Sequence, residues 1–534
     1  MRRVLVGLAV LCGTLALGGV AWGAAWVIRS ATGSSASTKA HEVPPGSAPS
    51  VLMAGSAVTV SIPQVSVGGA RLGTLPGGGY VVKRYSTAGA AQAVGDSCAT
   101  PVSGAAATLT CVEGGVGDGA WMYRVTPVLG TWRGAEGPAG GPVTVDVTGP
   151  SLVSITLAGS SPTAGSSVSW TVTFSEPVTG VDAGDFSLAP AGVGGAAVTS
   201  VAGSGTTRTI TAATGSGSGT LGITLVDDDS IRDGAGNPLA GAGGGGGGGG
   251  PAYALDRSAP TLASLVMLDT NGNGKVDQVN ATFGEALAPY TAGTTGWSLA
   301  NIPSAGSLTS VSVSGATATL TLSEGAGAAD TSPGSFTVAL TAHPAGIRDG
   351  LGNQSSFTAT APTDQAAPRV AAVSLVDGGG TPGRVQPGDQ IVVTFSEAMK
   401  VSKFCSAWST DTGNQSLTAS NDVTVTLADG GSGNDSLTVA SGTCAFNFGT
   451  LDLGSGSYVS GSNATFKGSG SSKSTIAWNA AARTLTIVLG SKSGGTTATV
   501  SSSTPVYTAP GTLTDPAGNP VSPPTFTLPA GAKF

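Results

Sequence analysis

TFSEP, from Thr173 to Pro177, followed further along by DGAGN at Asp233, is the phrase pair on which the reading of this chain turns. The pair recurs as TFGEA (Thr282 to Ala286) with DGLGN at Asp349, and as TFSEA (Thr394 to Ala398) with DPAGN at Asp515. An Asp-x-x-x-Pro phrase precedes each: DVTGP at Asp146, DRSAP at Asp256 and DQAAP at Asp364. Glu176, Glu285 and Glu397 stand 109 and 112 positions apart, and Asp256 and Asp364 stand 108 apart. That spacing is the length of one β-sandwich module, and recurrence at a fixed period marks an array. Acids repeated in every unit serve construction, whereas a catalytic pair would be unique.

Composition agrees. Charged residues make up 10% of the 534 positions and glycine fills 86 of them, against about 25% charged in an ordinary globular protein. Runs such as SAVTVSI, SVSWTVTF, TATLTLS and DQIVVTF alternate apolar and polar residues. Period-two patterning rich in Val, Thr and Ile builds half-buried strands. The expected fold is all-β, a tandem array of β-sandwiches joined by Gly-, Ser- and Ala-rich loops. The net charge of -7 repels nucleic acid and disfavours anionic membrane surfaces, so no nucleic-acid partner is expected.

The chain opens Met1-Arg2-Arg3 and then runs apolar from Val4 to Ile28, with small residues at Ala21, Gly23 and Ala25. This is the pattern of an export signal over residues 1–29. The same stretch is long enough to span a bilayer as an uncleaved anchor, and membrane contact would then be confined to residues 4–28. Both readings place the remainder outside the cytoplasm, secreted or at the cell surface. Cys98 and Cys111, and Cys405 and Cys444, are expected as disulfides within modules, as suits an exported chain. Two histidines, His41 and His343, leave no plausible catalytic triad, and no enzyme activity is expected.

Residues 30–46 read as a polar linker. From 47 to 145, GYVVKRYS and GDGAWMYRV supply a middle and a late sandwich strand, the latter after an Asp118-Gly119 turn. On these phrases the module resembles a fibronectin type III domain. Repeats at 146–255, 256–363 and 364–534 resemble bacterial immunoglobulin-like domains of secreted and surface proteins, on TFSEPV, VDAGDFSL and SIRDGAGNPL in the first of them. The third is expanded: Glu397 and Asp515 lie 118 positions apart, against 57 for Glu176 and Asp233 and 64 for Glu285 and Asp349. The eight glycines from Gly243 to Gly250 lack the pattern of a phosphate loop and are expected as a flexible surface loop.

Two calcium readings follow from the acids. Asp269, Asn271, Asn273, Lys275 (through its carbonyl) and Asp277 occupy positions 1, 3, 5, 7 and 9 of an EF-hand-like loop, with Gly274 at position 6. Position 12 departs, with Asn280 in place of the bidentate Glu, and a strand follows where a helix would stand. Asn-Gly pairs also make hairpin turns, but turns do not require acids at both Asp269 and Asp277, which favours calcium. The second reading gathers Asp146, Glu176 and Asp233; Asp256, Glu285 and Asp349; and Asp364, Glu397 and Asp515 near module boundaries as hard oxygen ligands. Turn chemistry accounts for the same residues equally well, since Asp starts an Asx-turn that Gly and Asn complete.

The expected role is that of an exported structural or adhesive element with an extracellular protein or glycan ligand. The rival is a carbohydrate-binding accessory component of a polysaccharide-degrading system, presenting Trp297, Trp408 or Trp478 as a platform.

Overall fold

The computed structural model describes residues 24–27, 39–241, 243 and 245–534. The signal or anchor segment lies outside the described residues except for Ala24–Val27, a strand paired antiparallel with Lys39–Glu42. The linker expected over 30–46 is therefore shorter. Its end is already structured: Val43 is buried, and the Gly46 amide donates to the Ala135 carbonyl at 3.0 Å.

The chain divides into two compact units, Met1–Leu255 and Asp256–Phe534. Each contains two separate hydrophobic cores. Every core lies between two sheets whose pairings are antiparallel apart from one edge strand, and the helical turns among the described residues are short 3-10 turns.

In the first unit, the core built on Val58, Val60, Tyr80, Tyr123 and Val125 lies between two sheets. One holds Ser50–Ala54, Ala57–Pro63 and Thr108–Glu113; the other is centred on Gly78–Ser86 and Gly119–Leu129. Cys98 is bonded to Cys111 across it. The second core gathers Val168, Trp170, Val172 and Phe174, which alternate along Ser167–Phe174. Period-two side-chain alternation sends all four to one face. Trp170 meets Tyr253 edge to face at 5.3 Å, and each finds a polar partner. Trp170 Nε1 donates to the Pro251 carbonyl at 2.9 Å, and the Tyr253 hydroxyl donates to the Ser169 carbonyl at 2.7 Å.

The glycine run is not the free loop its composition suggests. Gly248–Gly249 forms a short strand against Thr224 and Leu225, and the Gly250 amide donates to the Ile223 carbonyl. Here glycine is required by close approach: a Cβ on Gly248 would stand 2.6 Å from Leu152 Cδ2, and one on Gly250 would stand 2.4 Å from Ile155 Cγ2.

In the second unit, the core containing Leu265, Met267, Phe283, Leu320 and Phe336 lies between a five-stranded and a three-stranded sheet. Thr363–Asp364, where the next phrase begins, form the outermost strand of the five-stranded sheet, parallel to Leu262–Leu268. The expanded last repeat is one enlarged sandwich with a single core running from Val370 to Phe534. Its sheets have five and seven strands, so the insertion enlarges chiefly the second sheet, which has three strands in the preceding repeat. Cys405 is bonded to Cys444 within it. Trp297, Trp408 and Trp478 are all buried, so none of them presents a platform.

The packing around the glycine run sets a specific expectation. Gly250→Ala should lower the stability of this sandwich by about 1–3 kcal/mol through overpacking, whereas Gly249→Ala, whose Cβ meets nothing nearer than 4.0 Å, should change it by less than about 0.5 kcal/mol. Hydrogen exchange of the strand Gly219–Leu225, followed by mass spectrometry, reads the difference.

Candidate metal centres

Each repeat builds the same polar knot from its first residues, the end of its second strand and a late turn. In the first repeat, Asp233 Oδ1 accepts the amides of Ala235, Gly236 and Asn237 at 2.8, 2.7 and 2.9 Å. Gly236 has φ +95°, a left-handed conformation that glycine adopts without strain. The turn thus presents Asn237, whose amide nitrogen donates both to Asp233 Oδ2 at 2.8 Å and to the Asp146 main-chain carbonyl at 3.1 Å. Asn353 makes the same pair of bonds to Asp349 and Asp256, at 2.7 and 3.1 Å. Asn519 makes them to Asp515 and Asp364, at 2.7 and 3.3 Å. The starting Asp caps its own turn in each unit, accepting from Thr148, Ser258 and Ala366.

This knot brings a third acid in. The strands Ser167–Phe174, Gln278–Phe283 and Gln390–Phe395 end one residue before the Ser or Gly that precedes each Glu. The three groups that result are Asp146, Glu176 and Asp233; Asp256, Glu285 and Asp349; and Asp364, Glu397 and Asp515. In each, one carboxylate oxygen per residue lies within 4.8 Å of the others. Turn chemistry and carboxylate convergence are therefore both present, in the same residues. The two sequence readings do not compete.

The electrostatics of the groups follow from burial. Glu176 and Glu285 receive no hydrogen bond among the described residues. Burial, and then the neighbouring acids of their groups, push both up from the ordinary glutamate range. Asp233 moves the other way: burial raises it, but the Asn237 amide and three main-chain donors outweigh that and hold it low. In the third group, Glu397 and Asp515 are fully buried. Burial raises Glu397 and Asp364 together, and the repulsion of Asp515 adds to it, so that the pair shares a proton when no cation is present.

Two contributors carried no signal in the sequence. The Asp118 carboxylate, from the turn of the first module, accepts the Val147 amide at 2.6 Å and the Thr148 hydroxyl, and its charge acts on Glu176. Thr331, from the second repeat, donates to Glu397 Oε1 at 2.6 Å. Each sits far in sequence from the acids it meets, and neither belongs to a repeated phrase.

The EF-hand-like loop joins Leu262–Leu268 to Gln278–Phe283. Asp269 directs its carboxylate at the amides of Gly272, Asn273 and Gly274, at 2.9, 3.2 and 2.7 Å. Asp277 takes the amide and hydroxyl of Thr270. The side chains of Asn271 and Asn273 donate to Glu324, at 2.6 Å each, and the Lys275 ammonium reaches the Gly325 carbonyl. Asp269 and Asp277 stand in no group of three acids among the described residues.

With the fold and these groups in view, one comparison bears on the first repeat: residues 146–247 match the model of the bacterial Ig-like domain. The repeat carries the fullest set of the phrases on which the other two were aligned. In overall structure the chain is similar to FdeC, an Escherichia coli adhesin, at 13% identity and a TM-score of 0.26, over 72% of this chain and 97% of that one. It is also similar to invasin, a bacterial integrin-binding protein, at 12% identity and a TM-score of 0.24, over 78% of this chain and 81% of that one. Scores of this size establish no common arrangement of modules. No protein of curated function matches the sequence.

The raised acids fix a pH dependence. In chelator, the folded third repeat holds a proton that the unfolded chain has released once pH exceeds the ordinary glutamate value of 4.5. A state that keeps more protons loses stability as pH rises. The urea midpoint of this repeat should therefore fall between pH 5 and pH 8 in chelator, and Glu397→Gln should flatten that fall.

Proposed function

We propose that the chain is an exported, non-enzymatic array of β-sandwich modules that acts outside the cell as a structural or adhesive element, and that calcium stiffens it at the carboxylate groups. The observation that carries the cation reading is the threefold recurrence of convergent carboxylates. Gathering three acids is unfavourable unless a cation or a shared proton offsets their repulsion. Nothing in the packing of a sandwich asks for it three times. Calcium takes six to eight oxygen ligands at about 2.3–2.6 Å in flexible geometry, and carboxylates of this kind, with nearby carbonyls and water, suit that demand. An acidic, histidine-poor chain offers no competing nitrogen or sulfur set for a softer metal.

The mechanical consequence follows from which residues take part. A cation between the starting Asp, the Glu and the late Asp ties the first residue of a repeat to that repeat's own second strand and last turn. The chain then leaves the preceding strand in a fixed direction. In the first unit the starting Asp146 directly follows the strand Gly140–Val145, so a tied Asp would add to the restraint that Asp118 already places on Val147 and Thr148.

Calorimetric titration of the chelated full chain with calcium tests this reading. Extracellular calcium modules bind at about 10⁻⁴–10⁻³ M, and saturable binding in that range is expected. Glu285→Gln should remove about one equivalent. Absence of binding to the wild type, or an unaltered stoichiometry in Glu285→Gln, would remove the basis of the reading.

A further inference from the structure

Between the second and third repeats, both within the unit Asp256–Phe534, the chain has almost no slack. Ala366 is fully buried in the core of the second repeat, and Val370 is buried in the core of the third. Only Ala367, Pro368 and Arg369 lie between them. At the corresponding step in the first unit, Val145 closes one core and Pro150 is the first buried residue of the next repeat, leaving four residues between. A hinge needs a few residues that can absorb a change in backbone angle. Here one of the three is a proline, whose φ is fixed by its ring.

Side chains then close the joint from both sides. Arg483 forms a two-pronged ion pair with Asp330, at 3.0 Å to Oδ1 and 3.1 Å to Oδ2. Arg369 donates to the Gly272 carbonyl, and Gly274 is the residue whose Cβ position lies 3.4 Å from the Arg369 side chain. Thr331 of the second repeat joins Ser396 and Glu397 of the third through its hydroxyl, at 2.8 and 2.6 Å, with all three buried. The backbone of Arg483 is itself informative. It sits at φ +57°, in the left-handed region that favours glycine, at the tip of the hairpin linking Thr475–Asn479 and Thr484–Val488. An unusual backbone angle at a non-glycine residue persists where its surroundings over-determine it. The ion pair, together with the bond from Arg483 to the Ser396 carbonyl, supplies that surrounding. Bidentate arginine–carboxylate contacts fix orientation as well as distance.

We infer that the second and third repeats move as one rigid body, locked by Arg483–Asp330, Arg369–Gly272 and Thr331–Glu397 whether or not a cation is bound. The loop at residues 269–277 is in this reading a docking element, whose Gly272 carbonyl receives Arg369.

Spin labels on cysteines introduced at Ser312 and Ser460, in the full chain carrying Cys12→Ser, report the distance between the two repeats. A single narrow distribution is expected in chelator and in calcium alike. The double variant Arg483→Gly with Arg369→Ala should broaden it at least twofold; glycine is at ease at φ +57°, so the hairpin survives. A broad distribution in both conditions overturns the inference. So does one that narrows only when calcium is added, although that result would leave the calcium reading intact. A distribution that stays narrow in the double variant overturns the lock as its cause.

Discussion

One carboxamide in each repeat holds the knot together. The amide nitrogen of Asn237, Asn353 or Asn519 binds the carboxylate of the late turn and the main-chain carbonyl of the starting Asp. It thereby joins segments 91, 97 and 155 residues apart. Everything else at these sites depends on that closure. The turn Asp is oriented by its own main-chain donors, the starting Asp is held beside it, and the Glu at the end of the second strand has only one place to point. A side-chain amide is well suited to this, since it supplies two donors and carries no charge that would cancel the acids it organises.

The cost of such an arrangement is electrostatic, and the repeats meet it differently. In the first two, the Glu remains partly exposed, so water screens the repulsion. The third buries Glu397 and Asp515 outright and brings in Thr331 as a donor. Burial magnifies every interaction in the site, attractive or repulsive. The same set of carboxylates can thus be loosely or tightly coupled to folding, according to how much of the neighbouring repeat covers it.

Much of this was legible in the sequence because it is local. An Asp followed three residues later by Gly and then by Asn dictates its own turn, and period-two alternation such as Val168, Trp170, Val172 and Phe174 dictates which face of a strand is buried. The residues that modify the sites were not legible. Asp118 and Thr331 reach them through the way successive sandwiches abut, which no short phrase encodes. At the loop 269–277 the spacing fits a metal loop, and the carboxylate of Asp269 also accepts three amides of the same loop, since nested Asn-Gly turns supply donors as readily as ligands. Composition misled at the glycine run, where small residues mean close packing rather than freedom.

That run has a bearing on how the gene can vary. Leu152 and Ile155 exclude a side chain opposite Gly248 and Gly250, so a mixed sequence would have to keep its alignment to the residue. Eight identical residues have no alignment to lose. Removing or adding one glycine slides another into each confined position, and the surplus or deficit is taken up on the side toward Gly243 and Gly245, where a Cβ would meet nothing within 4 Å. A change in the length of this run is thus absorbed where the sandwich has room for it.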